Sequence, residues 1–351
     1  MKEYKLTFDK DLHSYIRAKC LQAKRTLKNP ELATLLSSVE IIAAAGGKRA
    51  RPYMAEGIYE ALGGKDKELA RTLGVGLELF HLFCLVHDDV IDKGKTRHGV
   101  STVHHAETAR LKKSKRRGDI PHLANGQAVL IGDLLFSWSY ECVARAAMRT
   151  PAGLQLLEIF SRMVSEVVAG QMLDVDMMSR TAVTEKEVTR KNLLKTATYT
   201  FVRPLQLGAS LAGKLHEVEG TLKDYGESLG LGFQLQDDYF DIWTLAQKTG
   251  KPACADIADG AHTPISAYVL TATSKTDQRK FLSYFGRGLL TPKEIKEVRI
   301  LLERVGAKDF ATQSMQDIFA QTEQVLARAK MSPSVETFLS ELLKTVAQRH
   351  T

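Results

Sequence analysis

The sequence has few of the residues that interrupt helices or cross-link small folds. Its 351 residues include nine prolines and four cysteines. The cysteines are far apart and form no CxxC pair, which argues against a disulfide framework and a zinc site. The first residues are charged, and no run reaches about 18 uninterrupted apolar residues, so we expect neither a signal peptide nor integral membrane association. These absences predict a cytoplasmic protein.

Apolar residues recur at intervals of three and four, as at Leu73, Leu77 and Phe80, which is the period of an amphipathic helix. Alternating strand patterns bounded by hairpin turns are rare. The windows 128–148 and 158–178 are longer than a mean helix of about 11 to 12 residues. The sequence therefore predicts an all-α fold, a large bundle of long helices around a deep central cavity.

The chain shows no linker rich in proline, glycine or serine and no internal repeat, so we predict a single domain over residues 1–351. Its 49 Lys and Arg exceed its 41 Asp and Glu, giving a net charge of +8. Much of this excess lies in the basic stretch 110–117, which we expect to belong to a loop insertion at about 109–121. Nucleic-acid binding would depend on this stretch alone, without interleaved aromatic residues, and is disfavoured.

Two aspartate clusters share the spacing DDxxD, and each follows an apolar helical run. Residues four apart lie on one face of a helix, where two carboxylates repel each other unless a cation lies between them. Incomplete sets of oxygen ligands suit Mg²⁺, which also binds substrate phosphates. A single cluster could equally be a solvated helix end, but two favour several metal ions and a diphosphate. The clusters comprise Asp88, Asp89 and Asp92, and Asp237, Asp238 and Asp241.

A phosphate ligand also requires cations, and several lie near the clusters in sequence. Lys48 and Arg51 follow a glycine pair, and Arg97 follows the first cluster. Lys195 and Lys251 are further candidates. Each of these residues alone could be an ordinary surface cation. The segment GGKRARP is not a Walker loop, because the GxxxxGK[ST] spacing is absent.

Three polar residues interrupt apolar helix patterns. His81 lies two helical turns before Asp88, so it could be either a phosphate contact or a hydrogen-bonded core histidine. Gln171 and Asp174 lie in the segment GQMLD and are expected to line a cavity.

Taken together, GGKRARP, ELFHLFCLVHDDVID, GQMLD, KTA, GFQLQDDYFD and TGKP resemble the motifs of the trans-isoprenyl diphosphate synthase family, the short-chain polyprenyl synthases. The resemblance implies a prenyltransferase, commonly a homodimer, that adds isopentenyl diphosphate head-to-tail to an allylic diphosphate. It also implies about three Mg²⁺ ions per active site, brought with the diphosphates.

Site residues are carried over from the resemblance by position. The six aspartates correspond to the magnesium-diphosphate ligands. The resemblance implies that the allylic C–O bond ionises, that the isopentenyl double bond attacks the cation, and that the departing diphosphate takes the proton. Positioning and electrostatics would supply most of the rate effect. The expected catalytic residues are Asp88, Asp89, Asp92, Arg97, Lys195, Asp237, Asp238 and Lys251. The expected allylic-diphosphate contacts are Arg97, Lys195, Thr196, Gln234 and Lys251, and those of isopentenyl diphosphate are Lys48, Arg51 and His81.

The sequence departs from the family pattern at three places. His98 replaces the second of two arginines. We expect it to be a substrate-binding residue that still donates to a phosphate, but more weakly, so that binding of isopentenyl diphosphate is weaker and improves at lower pH. Ala261 lies where a lysine is expected after the second cluster, so one allylic-diphosphate contact is lost. The basic stretch 110–117 lengthens a loop that is usually shorter.

Product length is expected to depend on Phe83, five residues before Asp88, and on its small neighbour Cys84. An aromatic residue at the first position without one at the second resembles the geranylgeranyl type, which predicts mainly a C20 product with C15 second. Two other functions remain open, a non-catalytic regulatory subunit and a class I terpene cyclase. The complete second cluster disfavours both.

Overall fold

A computed structural model describes residues 2–244 and 253–349, and its architecture confirms the predicted all-α fold. The first half contains α1 (Lys2–Leu27), α2 (Pro30–Ala44), α3 (Ala50–Ala61), α4 (Lys67–Ile91), β1 (Thr96–Arg97), β2 (Val100–Ser101), α5 (Val103–Lys113), α6 (Ile120–Ala147) and α7 (Gly153–Met178). The second half contains α8 (Glu185–Asn192), a π-helical segment (Leu193–Val202), α9 (Arg203–Leu211), α10 (Leu215–Trp243), α11 (Ala255–Asp259), α12 (Pro264–Ala272), α13 (Lys275–Leu282), α14 (Pro292–Arg304), α15 (Ala307–Arg328) and α16 (Pro333–Ala347).

Helix ends follow the capping signals of the sequence. The Thr291 hydroxyl accepts a hydrogen bond from the Glu294 backbone N–H, and the Glu294 carboxylate accepts one from the Thr291 N–H at 2.8 Å. This capping box satisfies donors that the first turn of α14 leaves unpaired. The two long windows are confirmed as helices, α6 with 28 residues and α7 with 26.

The chain folds into two compact units. Unit 1 comprises Met1–Glu60 and Gly64–Leu157, and unit 2 comprises Ala61–Gly63 and Glu158–Thr351. The assignment of one domain to residues 1–351 stays a prediction. In unit 1, α4 packs along α6, and the two helices share a core with α1 and α2. A Cβ added at Gly76 of α4 would lie 3.0 Å from the Cβ of Cys142 on α6, so the glycine permits this close approach.

The longest helix of unit 2 is α10, which packs against the π-helical segment, α9 and α15. Every residue of α9 is buried. A Cβ added at Gly230 of α10 would lie 2.5 Å from the Cα of Ala197 in the π-helical segment. The backbone of α10 therefore lies directly against the segment that carries Lys195 and Thr196.

The connection around the basic stretch is shorter than the expected insertion at 109–121. Residues 109–113 complete α5, the link covers 114–119, and α6 begins at Ile120. Arg110 pairs with buried Glu107 at 2.6 Å, and Arg116 pairs with Glu31 of α2. Cations in the last turn of a helix interact favourably with its carbonyl end, which is why part of the stretch is helical.

Helix α4 is long and apolar enough to cross a membrane by length and composition. However, 67% of its most apolar window is buried inside the fold. Its apolar face packs on α6 in the core of unit 1, which is the environment of a core helix in a globular fold.

Candidate active site

The first aspartate cluster lies at the C-terminal end of α4. The Asp92 N–H donates to the Asp88 carbonyl at 2.8 Å, so the helical spacing extends across both residues and places them on one face. Asp89 is buried, and its Oδ1 accepts a hydrogen bond from Nε of Arg97 at 2.8 Å and forms an ion pair with Nη2 of the same guanidinium at 2.8 Å. The structure thus joins a predicted metal ligand to a predicted phosphate contact.

Arg97 is held by the β1–β2 hairpin, which the sequence pattern did not reveal. The strands pair antiparallel around His98 and Gly99, and both residues have positive φ, +49° and +80°. The Thr102 hydroxyl donates to the Gly94 carbonyl at 2.7 Å, which fastens the hairpin to the end of α4. His98 is exposed beside Arg97.

A narrow cavity of about 20 Å³ adjoins the first cluster and is lined in part by His81, Asp89, Arg97 and His98. Burial lowers the pKa of His81 well below its usual value, and the charges of Arg51, Arg97 and other neighbours lower it further. The imidazole is therefore neutral near pH 7. The cavity therefore brings together three predicted substrate-binding residues, His81, Arg97 and His98. Lys48 is exposed and, like Arg51, is not part of the cavity wall.

Arg49, between Lys48 and Arg51, is a positioning residue that the sequence analysis missed. It is buried, and its guanidinium donates to Asp9 at 2.7 Å, to Glu78 at 2.6 Å and to the Ala43 carbonyl at 2.7 Å. It thereby ties α1, α2 and α4 together beside the cavity, which Glu78 also lines. The carboxylate of Glu78, three residues before His81 in an apolar helix, is the sequence feature that could have indicated a buried cationic partner such as Arg49.

The second aspartate cluster lies near the end of α10, and Asp238 is its buried member. Its Oδ1 accepts from the Gln234 side-chain amide at 2.7 Å, and the Gln234 Oε1 accepts from the Thr196 hydroxyl at 2.8 Å. The Asp238 Oδ2 is buried without a hydrogen-bond partner in the described residues. Burial, reinforced by the charge of Asp256, raises the pKa of Asp238 well above its usual value.

The other two aspartates of this cluster have partners that spacing did not predict. The Asp241 carboxylate accepts from the backbone N–H groups of Ala255 at 3.1 Å and Asp256 at 3.2 Å. The Asp237 Oδ1 pairs with Nη1 of Arg349 at 2.6 Å. The Arg349 guanidinium also lies over the ring of Phe233, 4.8 Å from its centroid. These partners come from sequence-distant positions, which explains why no local pattern revealed them.

A lysine–aspartate cluster, comprising Lys191, Asp174 and Lys195, lies elsewhere in unit 2. The two carboxylate oxygens of Asp174 pair with Lys195 at 2.6 Å and Lys191 at 3.0 Å. Burial acts to raise the pKa of Asp174, but the two lysines outweigh it and the pKa is lowered. The sequence analysis missed Lys191, although its position four residues before Lys195 indicates a shared helix face.

Close backbone contact positions Lys195 and Thr196. Both lie on the π-helical segment, and a Cβ added at Gly170 of α7 would be 2.4 Å from the backbone N of Lys195. The next residue of α7, Gln171, has both side-chain amide atoms buried without a hydrogen-bond partner in the described chain. The predicted cavity-lining pair Gln171 and Asp174 thus stands on a helix that contacts the π-helical segment directly.

The predicted chain-length residue Phe83 belongs to an aromatic cluster in unit 1. Its ring centroid is 5.4 Å from Phe80, 5.4 Å from Phe136 of α6 and 4.5 Å from His87. Cys84 is partly buried beside it. Phe136 was not identified from the sequence, because its approach depends on the pairing of α4 with α6. Lys251 lies outside the described residues.

The donor chemistry of both aspartate clusters fits magnesium. Each supplies only carboxylate oxygens, and the buried, unpartnered Oδ2 of Asp238 is an atom that a cation would stabilise. Within residues 2–244 and 253–349, no three His, Cys, Asp or Glu side chains form a closed metal site. Mg²⁺ commonly uses one or two carboxylates and completes its shell with water and substrate phosphates.

The family profile described as polyprenyl synthetase matches residues 33–302. The chain belongs to the polyprenyl synthetase family. It is 32% identical over 278 residues to the short-chain isoprenyl diphosphate synthase of Methanothermobacter thermautotrophicus, covering 79% of each chain. It is 30% identical to the geranylgeranyl pyrophosphate synthase of Geoglobus acetivorans, covering 95% of this chain and 97% of the relative. A geranylfarnesyl diphosphate synthase of Natronomonas pharaonis is 26% identical, with 83% of each covered.

Among solved structures, the chain is similar to the geranylgeranyl pyrophosphate synthase of Corynebacterium glutamicum complexed with isoprenyl diphosphate and magnesium. The TM-score is 0.88 at 25% identity, with 98% of this chain and 99% of that chain covered. As a polyprenyl synthetase, the protein is a prenyltransferase of the prenyl diphosphate synthase type, which acts on isopentenyl and allylic diphosphates in a family that uses divalent metal ions.

Proposed function

We propose that the protein condenses isopentenyl diphosphate head-to-tail with allylic diphosphates of C5 to C15 and releases mainly geranylgeranyl diphosphate (C20), with farnesyl diphosphate (C15) second. The supporting observation is that both aspartate clusters are complete and that each unit holds a predicted phosphate-binding cation on a carboxylate. Arg97 is bonded to Asp89, and Lys195 to Asp174. A regulatory subunit would not require two complete aspartate clusters with these paired cations.

The residues of the chain would bind and orient the two diphosphates. About three Mg²⁺ ions held by the six aspartates would neutralise the leaving diphosphate. Lys195, Thr196 and Gln234 would hold the allylic diphosphate, while Arg97 contributes from the first cluster. Neutral His81 can donate one N–H to isopentenyl diphosphate without adding a charge. The proton lost at the end would go to the departing diphosphate.

The C20 assignment is supported by the aromatic cluster around Phe83. Relatives are named for both geranylgeranyl and geranylfarnesyl products, so similarity alone leaves C20 and C25 open. Phe83 is backed by Phe80 and Phe136, and a ring supported on two sides resists displacement by a growing chain. We therefore favour the shorter product.

We also propose a homodimer in the cytoplasm. Helix α6 exposes Leu123, Leu130 and Tyr140, with 44%, 61% and 52% of each residue exposed. Leu123 and Leu130 are about two helical turns apart and so share one face of α6. Exposed apolar side chains on one face indicate an interaction surface, and a second copy of the chain is the proposed occupant. No disulfide joins the four cysteines, as is typical of reducing compartments.

The test is an incubation with Mg²⁺, isopentenyl diphosphate and, separately, dimethylallyl, geranyl and farnesyl diphosphate, followed by chromatographic measurement of product length. We expect a C20 product from each primer. Asp88→Asn and Asp237→Asn should abolish turnover while circular dichroism stays unchanged, and Asp309→Asn on α15 is the matched control. A folded protein that makes no product from any primer would contradict the proposal and favour a regulatory subunit.

A further inference from the structure

The lysine–aspartate cluster contains one buried cation to which neither the family resemblance nor the proposed function assigns a role. Only 6% of Lys191 is exposed. Its Nζ donates to the His262 carbonyl at 2.7 Å and pairs with the Asp174 Oδ1 at 3.0 Å. An ammonium group has three N–H donors, and these two acceptors use two of them within the described residues.

The two lysines of this cluster share one carboxylate, because both Lys191 and Lys195 pair with Asp174. A buried ammonium group is costly unless it is paired. The shared carboxylate places Lys191 beside Lys195, which is proposed to hold the allylic diphosphate.

The Lys191 ammonium group lies beside Ala261, the position at which this chain departs from the family pattern. The family pattern leads us to expect a lysine at 261, where this chain has alanine. The Lys191 ammonium group bonds to the carbonyl of His262, the next residue. Lys191 of α8 therefore places a cation at the loop that contains Ala261 and His262.

We propose that Lys191 is a diphosphate-binding residue that replaces the lysine missing at 261, with the allylic diphosphate and its magnesium ions as the ligand. The inference rests on the proposed function, because it names a further residue of the same site. Lys191 would supply a substitute for the phosphate contact that Ala261 is expected to remove.

The test compares Lys191→Met with the unsubstituted protein. Isothermal titration calorimetry with inorganic pyrophosphate and Mg²⁺ should show affinity reduced about tenfold, the size expected for one charged hydrogen bond. The KM for geranyl diphosphate should rise about as much, while the KM for isopentenyl diphosphate stays within about twofold. Lys186→Met, at an exposed position of α8, is the matched control and should change neither quantity.

A compensating substitution distinguishes a role of Lys191 in binding diphosphate from a role in supporting the fold. Lys191→Met combined with Ala261→Lys should recover most of the pyrophosphate affinity, although it does not restore the contact with Asp174. If Lys191→Met does not fold, Lys191→Gln keeps a donor for the His262 carbonyl without the charge, and the same loss is expected.

Folded Lys191 variants that bind pyrophosphate as tightly as the unsubstituted protein would overturn the inference and leave Lys191 as a support for His262. An unsubstituted protein that binds pyrophosphate through Lys191 but makes no prenyl product would instead refute the proposed function alone. The two failures are therefore distinguishable.

Discussion

Phe83 is the residue at which product length can be tested most directly. Phe83→Ala removes a half-buried ring between Phe80 and Phe136, so the space available to the growing chain increases. We expect products longer than those of the unsubstituted protein by at least one isoprene unit, measured by chromatography. Truncating a fully buried Phe costs about 3–5 kcal/mol, and the cost here should be smaller.

The matched control for this change is Phe310→Ala in unit 2, where the ring stacks on Tyr268. It removes the same atoms from a half-buried position and should leave product length unaltered. An unchanged product distribution in a folded Phe83→Ala protein would refute the assignment of Phe83 to chain-length control.

His81 predicts a pH dependence of stability. Burial, with Arg51 and other cations, lowers its pKa in the folded state, whereas the unfolded chain has a pKa of about 6.5. Between these values the unfolded chain binds a proton that the folded chain does not, so stability is present above pH 6.5 and is lost as pH falls. Between pH 7.5 and 5.5 the free energy of unfolding should fall by about 1.4 kcal/mol more than in His81→Gln.

Urea denaturation of the two proteins at both pH values measures this difference. All other titrating groups, including His104 and His262 with lowered pKa and Glu56 with a pKa raised to about 7, are common to both proteins. Equal pH slopes would show that His81 is not held neutral by its surroundings.

The aspartates could be identified from the sequence because their spacing coincides with the helical period and follows an apolar run. Their partners could not. Asp241 accepts from the first residues of α11, and Asp237 pairs with Arg349 more than a hundred positions away. Arg49 resembled its neighbours Lys48 and Arg51 in sequence, and only its enclosure by Asp9 and Glu78 distinguishes it. Side-chain pairing across distant segments is set by packing, which no local pattern records.

The contact between α7 and the π-helical segment is sensitive to a single methyl group. In Gly170→Ala the new Cβ would approach the Lys195 backbone to 2.4 Å, so the two backbones must separate. We expect kcat/KM to fall about tenfold or more, as happens when a positioning contact shifts, with a loss of about 1–3 kcal/mol in stability.

Gly220→Ala on the exposed side of α10 provides the comparison, because its added Cβ would meet nothing within 4 Å. This variant should keep full activity and gain up to about 1 kcal/mol, as alanine restricts the unfolded chain. Equal kinetics for the two alanine variants would contradict the role of the close contact.

The basic stretch is expected to be dispensable for turnover. Lys112, Lys113, Lys115 and Arg117 are exposed, and exposed charges contribute little to stability. Replacing all four with Gln should leave kcat within about twofold in the standard assay, while Arg97→Gln is expected to inactivate. A large loss of turnover in the folded quadruple variant would place the stretch in the active site. Arg110 and Arg116 are retained because they pair with Glu107 and Glu31.

The secondary-structure elements differed in how well the sequence predicted them. Long helices such as α6 and α7 have periodic apolar residues and capping signals, so they were predicted. The β1–β2 hairpin has only two residues in each strand, too few for an alternating pattern. The π-helical segment uses residues that also suit an α-helix, and its close backbone contacts with Gly170 and Gly230 are tertiary features that no local pattern records.

At the scale of the whole molecule, the exposed apolar residues of α6 predict self-association. Leu130→Glu places a charge on the proposed dimer surface, and desolvating that charge opposes association. Light scattering coupled to size-exclusion chromatography should show a dimer for the unsubstituted protein and a monomer for the variant. Leu289→Glu, at a residue with 84% exposure in unit 2, should remain dimeric. A monomeric unsubstituted protein would contradict the proposal.

The net charge of +8 was a poor guide to the ligand when considered for the whole chain. Six of its cations lie in the stretch 110–117, whereas Arg97, Lys191 and Lys195, which are proposed to face diphosphates, pair with carboxylates. Each unit carries one aspartate cluster, a division that composition alone could not show. Charge summed over a sequence does not record which cations are paired.

The number of residues in the π-helical segment between α8 and α9 sets the orientation of Lys191 and Lys195. A π turn contains about one residue more than an α turn, so deleting one residue from 196–202 would rotate Lys191 and Lys195 by about 100° relative to α9. Exchanges of α8 with a relative must therefore preserve residue number as well as residue type. A graft shortened by one residue would direct both lysines away from Asp174.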